Sequence, residues 1–323
     1  MIGVVPMAVV LTTARAFATC DAAKKVLKDA GHEIRIVTPD KPLKSEELIP
    51  LVKDIDALIA GLDFITPQVI NAAQNLKIIA RNGVGYDRVD LMTAKKNNIE
   101  VTITPGTNSL SVCELAFSFI TGLARKIHVM DTSVCSGSWK RENGVELNGK
   151  TIAIFGTGSI GKNLAIRCVA FGMKVIAYDL YPNVELQEKY GVTYYDSMAP
   201  LFELADFISL HLPATEQTRE MINKESINKM KKGVYIINTA RGDLINNDDL
   251  YEALVSGYVG GVGLDTFTEE PFTDSRFFNH KNVILTPHTG AFTQDAIVKT
   301  LVMAAEDVVR VLDGNKPLHS VSQ

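Results

Sequence analysis

Four side chains in the last third of this sequence are suited to chemistry on a small anion: Arg241, Asp265, Glu270 and His288. Histidine can take or give a proton near neutrality. A carboxylate beside it, such as Glu270 in "TFTEEPF", would stabilise the imidazolium form. A guanidinium stays charged at any working pH, and its planar fork can hold a carboxylate by two bonds and orient the neighbouring carbon. Arg241 stands in "YIINTARGD", where an apolar run ends and an obligate cation needs an anionic partner or water. Singly, each residue has a plainer reading. Arg241 suits a structural ion pair, Asp265 a helix cap, Glu270 a surface loop charge and His288 a satisfied structural histidine. Their joint position near strand ends, downstream of a nucleotide fingerprint, favours a site.

The elements that must position them are visible as short apolar runs. Candidate strands are 33–37, 57–60, 77–80, 100–103, 151–155, 174–178, 207–210, 234–238, 261–265 and 283–286. Most are continuous rather than alternating, the pattern of parallel strands covered on both faces. Helical patterns such as "VELQEKYG" and "LYEALVSG" lie between them and supply right-handed crossovers, so the fold class is α/β.

The most specific stretch is "TIAIFGTGSIGKNLAIRCVAFGMKVIAYD". Gly156, Gly158 and Gly161 form GxGxxG directly after a strand and at the opening of a helix. A second strand ends at Asp179, 18 residues after Gly161. The glycines permit a tight turn, backbone approach to a pyrophosphate and close helix packing, while the helix start supplies N–H donors. Asp179 would accept from a ribose 2′-OH and repel a 2′-phosphate, and no Arg or Lys follows at once in "YDLYPN". The reading is a Rossmann-type doubly wound sheet that binds NAD in preference to NADP.

A boundary near residue 104 precedes a long helix, "TPGTNSLSVCELAFSFITGLARKI", with Thr107, Asn108 and Ser109 as cap candidates. Another follows "TPHTG", before a second long helix. The expected organisation is a discontinuous substrate domain, 1–103 and 292–323, and an NAD domain, 104–291, with a cleft between. A chain of 323 residues with 46% hydrophobic and 22% charged residues fits a two-domain globular protein. Net charge −4 gives no footprint for nucleic acid or anionic membrane. Cys20, Cys113, Cys135 and Cys168 lack paired spacing, so no metal or disulfide framework is expected and reduced thiols suit a cytoplasmic protein. The apolar start, "MIGVVPMAVVLTTARAFATC", has no leading Lys or Arg and is interrupted by Pro6, so a first strand feeding a helix explains it better than a signal peptide. No run of 18 uncharged apolar residues suggests a membrane span.

Along essentially its full length the chain resembles the D-isomer-specific 2-hydroxyacid dehydrogenase family. The matching motifs, in family order, are "GTGSIGK", "NTARGDLINNDDL", "GVGLDTFTEEP" and "LTPHTGA". The resemblance implies a two-domain homodimeric enzyme, with a flavodoxin-like α/β substrate domain beside the NAD domain. It makes His288 the acid/base, Glu270 its partner and Arg241 the substrate anchor. Asp265 would lie by the nicotinamide. Gly156, Gly158, Ser159, Ile160, Gly161, Asp179, Leu212, Thr239, Ala240, Arg241, His288 and Gly290 would share in holding the cofactor. In "RNGVGYDRVDL", Val84 and Gly85 would offer amides to the substrate carboxylate, with Arg81 also in the substrate set.

Within the family, phosphoglycerate dehydrogenase is nearest, because Arg81 and Arg141 resemble positions that contact a substrate phosphate. "IAGLDFIT" lacks the arginine that subgroup carries, and losing one charge-assisted contact costs about 1.5–3 kcal/mol. That absence weakens the phosphate case; the 3-phosphoglycerate type is still the leading expectation, glyoxylate or hydroxypyruvate reduction the close competitor, and an NAD-sensing corepressor-like protein the remote one. The chain stops after its return helix, so no regulatory domain is expected beyond it. The partner in every enzymatic case is a small 2-hydroxy or 2-keto acid.

Overall fold

The computed structural model of the chain describes residues 7–278 and 280–321. Its strands build two parallel sheets in two compact units. One unit holds the described residues through Asn108 together with those from Ala291; the other is Ser109–Gly290.

The first unit contains β1 (Val9–Thr12), β2 (Glu33–Ile36), β3 (Ala57–Ala60), β4 (Ile78–Arg81) and β5 (Glu100–Thr102) in the order β2-β1-β3-β4-β5. All four pairings are parallel, and this order is the flavodoxin-like one. Every residue of β3 and β4 is buried, which is why these strands read as unbroken apolar runs. Helix Asp21–Asp29 follows β1 and is released into β2 through Gly31, whose φ of +80° suits glycine. The apolar start of the chain thus feeds a strand and then a helix, although residues 1–6, Pro6 among them, lie outside the described residues. Helix Gln294–Leu312 begins with Thr293, whose hydroxyl accepts from Ala296 N. It lays Leu301, Ala304, Ala305 and Val308 in one cluster with Val10, Ile59, Ile78 and Ala80.

The second unit contains β6 (Thr151–Phe155), β7 (Lys174–Tyr178), β8 (Thr193–Tyr194), β9 (Phe207–Leu210), β10 (Val234–Asn238), β11 (Val259–Leu264) and β12 (Val283–Leu285). Their order is β12-β11-β10-β9-β6-β7-β8, a doubly wound sheet whose direction of winding reverses between β6 and β9. The ends of six strands are level. Tyr178 pairs with Phe155, Phe155 with Leu210, Leu210 with Asn238, Asn238 with Leu264, and Leu264 with Leu285. The residues that follow are therefore delivered side by side: Asp179, Gly156, His211, Thr239, Asp265 and Thr286.

The expected long helix is Ser109–Arg125; Lys126 then takes φ +52°, and a second helix, Ile127–Cys135, starts afresh. The cause is a strand of chain crossing the first helix's end. Val145 N donates to Ala124 O at 2.8 Å, and a side chain at Gly144 would meet that same oxygen at 2.5 Å. Among the described residues no helix is long and apolar enough to cross a membrane.

Candidate functional site

At the turn after β6, Gly156 has φ +90°, and a Cβ there would lie 2.7 Å from His211 O. Gly158 is the cap residue of helix Ser159–Ala170, and a Cβ there would meet nothing. A Cβ on Gly161 would lie 2.0 Å from Gly156 O, so only glycine lets the helix close onto the turn. The opening of the helix at Ser159 and Ile160 presents amides that have no intrahelical acceptor, as at any helix start.

Asp179 is held beside this turn. Its Oδ2 accepts from Thr157 N at 2.6 Å and Thr157 Oγ1 at 3.1 Å, and its Oδ1 accepts from Tyr181 N at 2.9 Å. Thr157 Oγ1 in turn accepts from Tyr194 OH on β8 at 2.9 Å. Leu212 joins the core cluster behind β9, with its Cδ2 3.0 Å from where a Gly156 Cβ would sit. His211 is bonded through Nε2 to Ser209 Oγ at 2.9 Å, and burial pushes its pKa down to about 4.

Past β10, a fully buried Asn238 side chain clasps the turn that carries the arginine. Its Oδ1 accepts from Ala240 N at 3.0 Å and its Nδ2 donates to Arg241 O at 2.7 Å. Thr239 is buried, and its Oγ1 has no protein partner. Arg241 Nη1 donates to Ala240 O at 2.7 Å. A Cβ on Gly242 would lie 2.0 Å from the carbonyl carbon of Phe267, so this turn presses directly on the loop leading to Glu270.

The last two strand ends hold the acid/base pair. His288 Nδ1 lies 2.8 Å from Glu270 Oε1, which also accepts from Phe267 N at 3.3 Å. The glutamate side chain is 11% exposed and the imidazole 30%. His288 has φ +53°, a conformation a non-glycine residue rarely holds unaided. Asp265, 1% exposed, holds it there. Its Oδ1 accepts from Thr286 Oγ1 at 2.6 Å and Thr289 N at 2.7 Å, and its Oδ2 from Gly290 N at 2.8 Å. A Cβ on Gly290 would lie 3.0 Å from that same Oδ2.

Arg81, Val84 and Gly85 belong to the first unit. Arg81 is 3% exposed, and its guanidinium donates to Gly85 O at 3.0 Å and Ala60 O at 3.3 Å, so much of its fork is used within that unit. The hydrogen bonds of the described residues include none from the amides of Val84 or Gly85. Arg141 is exposed in an irregular stretch of the second unit.

Thr157, Tyr194, Asn238 and the threonines flanking His288 were not singled out from sequence. An Asn ending a strand before a turn is a readable Asx signal. A tyrosine 37 residues from its threonine partner gives none.

The family described as D-isomer specific 2-hydroxyacid dehydrogenase, NAD binding domain, matches residues 117–290. A hydroxypyruvate reductase of Thermotoga maritima is 43% identical over 84% of this chain and 89% of its own length. A D-3-phosphoglycerate dehydrogenase of Methanocaldococcus jannaschii is 41% identical over 90% of this chain, which spans 56% of that relative. The crystal structure of D-lactate dehydrogenase from Aquifex aeolicus, complexed with NAD and lactic acid, superposes with a TM-score of 0.86 at 30% identity, covering 98% of this chain and 99% of that one.

Proposed function

We propose, from the premise that this chain belongs to the D-isomer specific 2-hydroxyacid dehydrogenase family, that Arg241, Glu270 and His288 are its catalytic trio. The family makes the chain an NAD-dependent 2-hydroxyacid dehydrogenase. The observation that carries the assignment of roles is the 2.8 Å bond between His288 Nδ1 and Glu270. With Nδ1–H committed to the carboxylate, Nε2 is the nitrogen left to exchange a proton with the substrate oxygen. Glu270 orients the ring and stabilises the imidazolium that forms. Arg241 orients the substrate through its carboxylate.

The second unit is the NAD-binding domain in this reading, and its residues fit the dinucleotide. Gly156, Gly158 and Gly161 allow backbone approach, and the helix start at Ser159 and Ile160 offers donors to the phosphates. Asp179 receives a ribose hydroxyl. Leu212, Thr239, Ala240 and Gly290 line the remainder, with the unpartnered Thr239 hydroxyl supplying a bond. When bound, NAD accepts or supplies the hydride. We assign Asp265 to the support of the His288 turn. The first unit is the substrate domain, its share of carboxylate binding falling to the amides of Val84 and Gly85.

The substrate is a small unphosphorylated 2-keto acid of the hydroxypyruvate and glyoxylate kind. The carbonyl partners of Arg81 support this, because a guanidinium spent on its own backbone is poorly placed to serve a phosphate. Identity to D-3-phosphoglycerate dehydrogenases supports the phosphorylated alternative. The protein acts as a homodimer, supported by apolar surface on helix Ile127–Cys135, none of whose residues is buried.

Oxidation of NADH with hydroxypyruvate, glyoxylate, 2-oxobutyrate and phosphohydroxypyruvate decides the substrate. The fastest turnover is expected with an unphosphorylated acid, and His288→Ala should lower kcat by about 10²–10⁴-fold. Turnover confined to the phosphorylated acid would overturn the substrate assignment. Wild-type turnover by the variant would overturn the acid/base.

A further inference from the structure

The Thr157 side chain occupies the first variable position of GxGxxG and belongs to a three-membered chain of polar groups. Tyr194 OH donates to Thr157 Oγ1, and Thr157 Oγ1 donates to Asp179 Oδ2. A carboxylate can only accept, so the threonine proton must point at Asp179 and the tyrosine proton must point at the threonine. The direction of each hydroxyl is thereby fixed, and each bond polarises the next.

A carboxylate has about four acceptor directions. Thr157 N and Oγ1 fill two on Oδ2, and Tyr181 N fills one on Oδ1. What is left is a single direction on Oδ1, held in one rotamer by bonds to both oxygens. That is a receptor for a hydroxyl donor. A phosphate ester in the same place brings no proton and a like charge. With the Thr157 hydroxyl removed, Oδ2 gains an open direction and the carboxylate is free to turn away from a phosphate.

We propose that Thr157 and Tyr194 are positioning residues that set the preference for NAD over NADP by fixing Asp179. The proposal rests on the reading that Asp179 receives the ribose hydroxyl. It extends that reading to two residues on separate elements, one in the glycine turn and one on the edge strand β8.

The test is direct binding of NADH and of NADPH, followed by reduced-nicotinamide fluorescence, to the full chain and four variants. Thr157→Val should weaken NADH by about tenfold, the scale of a lost bond to a charged group, and Tyr194→Phe, which loses a bond between neutral hydroxyls, by about threefold. NADPH should be weakened less or tightened, so that the ratio of the two dissociation constants falls. Thr157→Ser keeps the hydroxyl and should keep the ratio. Asp179→Asn separates the two levels of the argument. If it shifts the ratio while Thr157→Val and Tyr194→Phe move both cofactors alike or not at all, the positioning chain is overturned and the Asp179 reading stands. If Asp179→Asn leaves the ratio unchanged, both fall. Should Thr157→Val fail to fold, Tyr194→Phe, which removes one oxygen from a partly buried ring, carries the test.

Discussion

Asp265 and Glu270 are both acidic residues beside the proposed acid/base, and their environments separate their roles. Glu270 bonds the imidazole itself. Asp265 bonds the turn on both sides of it, through Thr286 ahead and Thr289 and Gly290 behind. The buried carboxylate therefore acts as the anchor of a left-handed turn. His211 is the residue whose environment makes a pH prediction. Its folded pKa, about 4, lies below the 6.5 of an exposed histidine because burial disfavours the charge. On acidification the unfolded chain takes up the proton first, so the neutral ring's contribution is intact above pH 6.5 and is lost as pH falls towards 4. The loss is up to about 3 kcal/mol. Denaturant unfolding of the protein and of His211→Gln at pH 7 and pH 4.5 should show a shallower acid decline in the variant. Parallel declines would sink the assignment.

At the scale of elements, buried parallel strands announce themselves, because a strand covered on both faces must be apolar throughout. β3, β4, β9 and β10 were legible for that reason. β8 was not, being two residues long on a sheet edge with one exposed position. The break at Lys126 was also hidden, since it arises from a chain segment some 20 residues away crossing the helix end. The site followed the same division. Residues set at strand ends or in a local glycine pattern could be read, and the Asn238 clasp, which spans three residues, left a local signal, whereas the Tyr194–Thr157 bond depends on folded proximity. Within the glycine turn, the three positions differ in what they tolerate. Gly161→Ala would place a methyl 2.0 Å from backbone oxygen that no rotamer can move, so the helix must shift. Its thermal midpoint should fall by several degrees, corresponding to about 1–3 kcal/mol. Gly158→Ala, with open space around its Cβ, should unfold close to the wild type. Equal midpoints for the two variants would refute the packing argument.

For the whole molecule, each unit carries its own sheet and its own buried clusters, which is how 323 residues avoid one oversized core. The surface is less evenly finished than the interior. Ile127, Val134 and Trp139 are 56%, 54% and 76% exposed within a short stretch of the second unit. If this face joins two copies, sedimentation should give a dimer mass for the protein and a monomer mass for Ile127→Asp with Val134→Asp. A wild-type monomer would refute the homodimer. The level strand ends have a consequence of their own. Six ends separated by five interstrand gaps make a ledge roughly 24 Å long, with Asp179 towards one end and the His288 turn at the other. A ligand fragment resting on one end leaves the other bare. Joining two fragments raises the effective concentration of the second once the first has landed. Such a ledge favours a linked dinucleotide over its separate halves, because either half alone holds only one end.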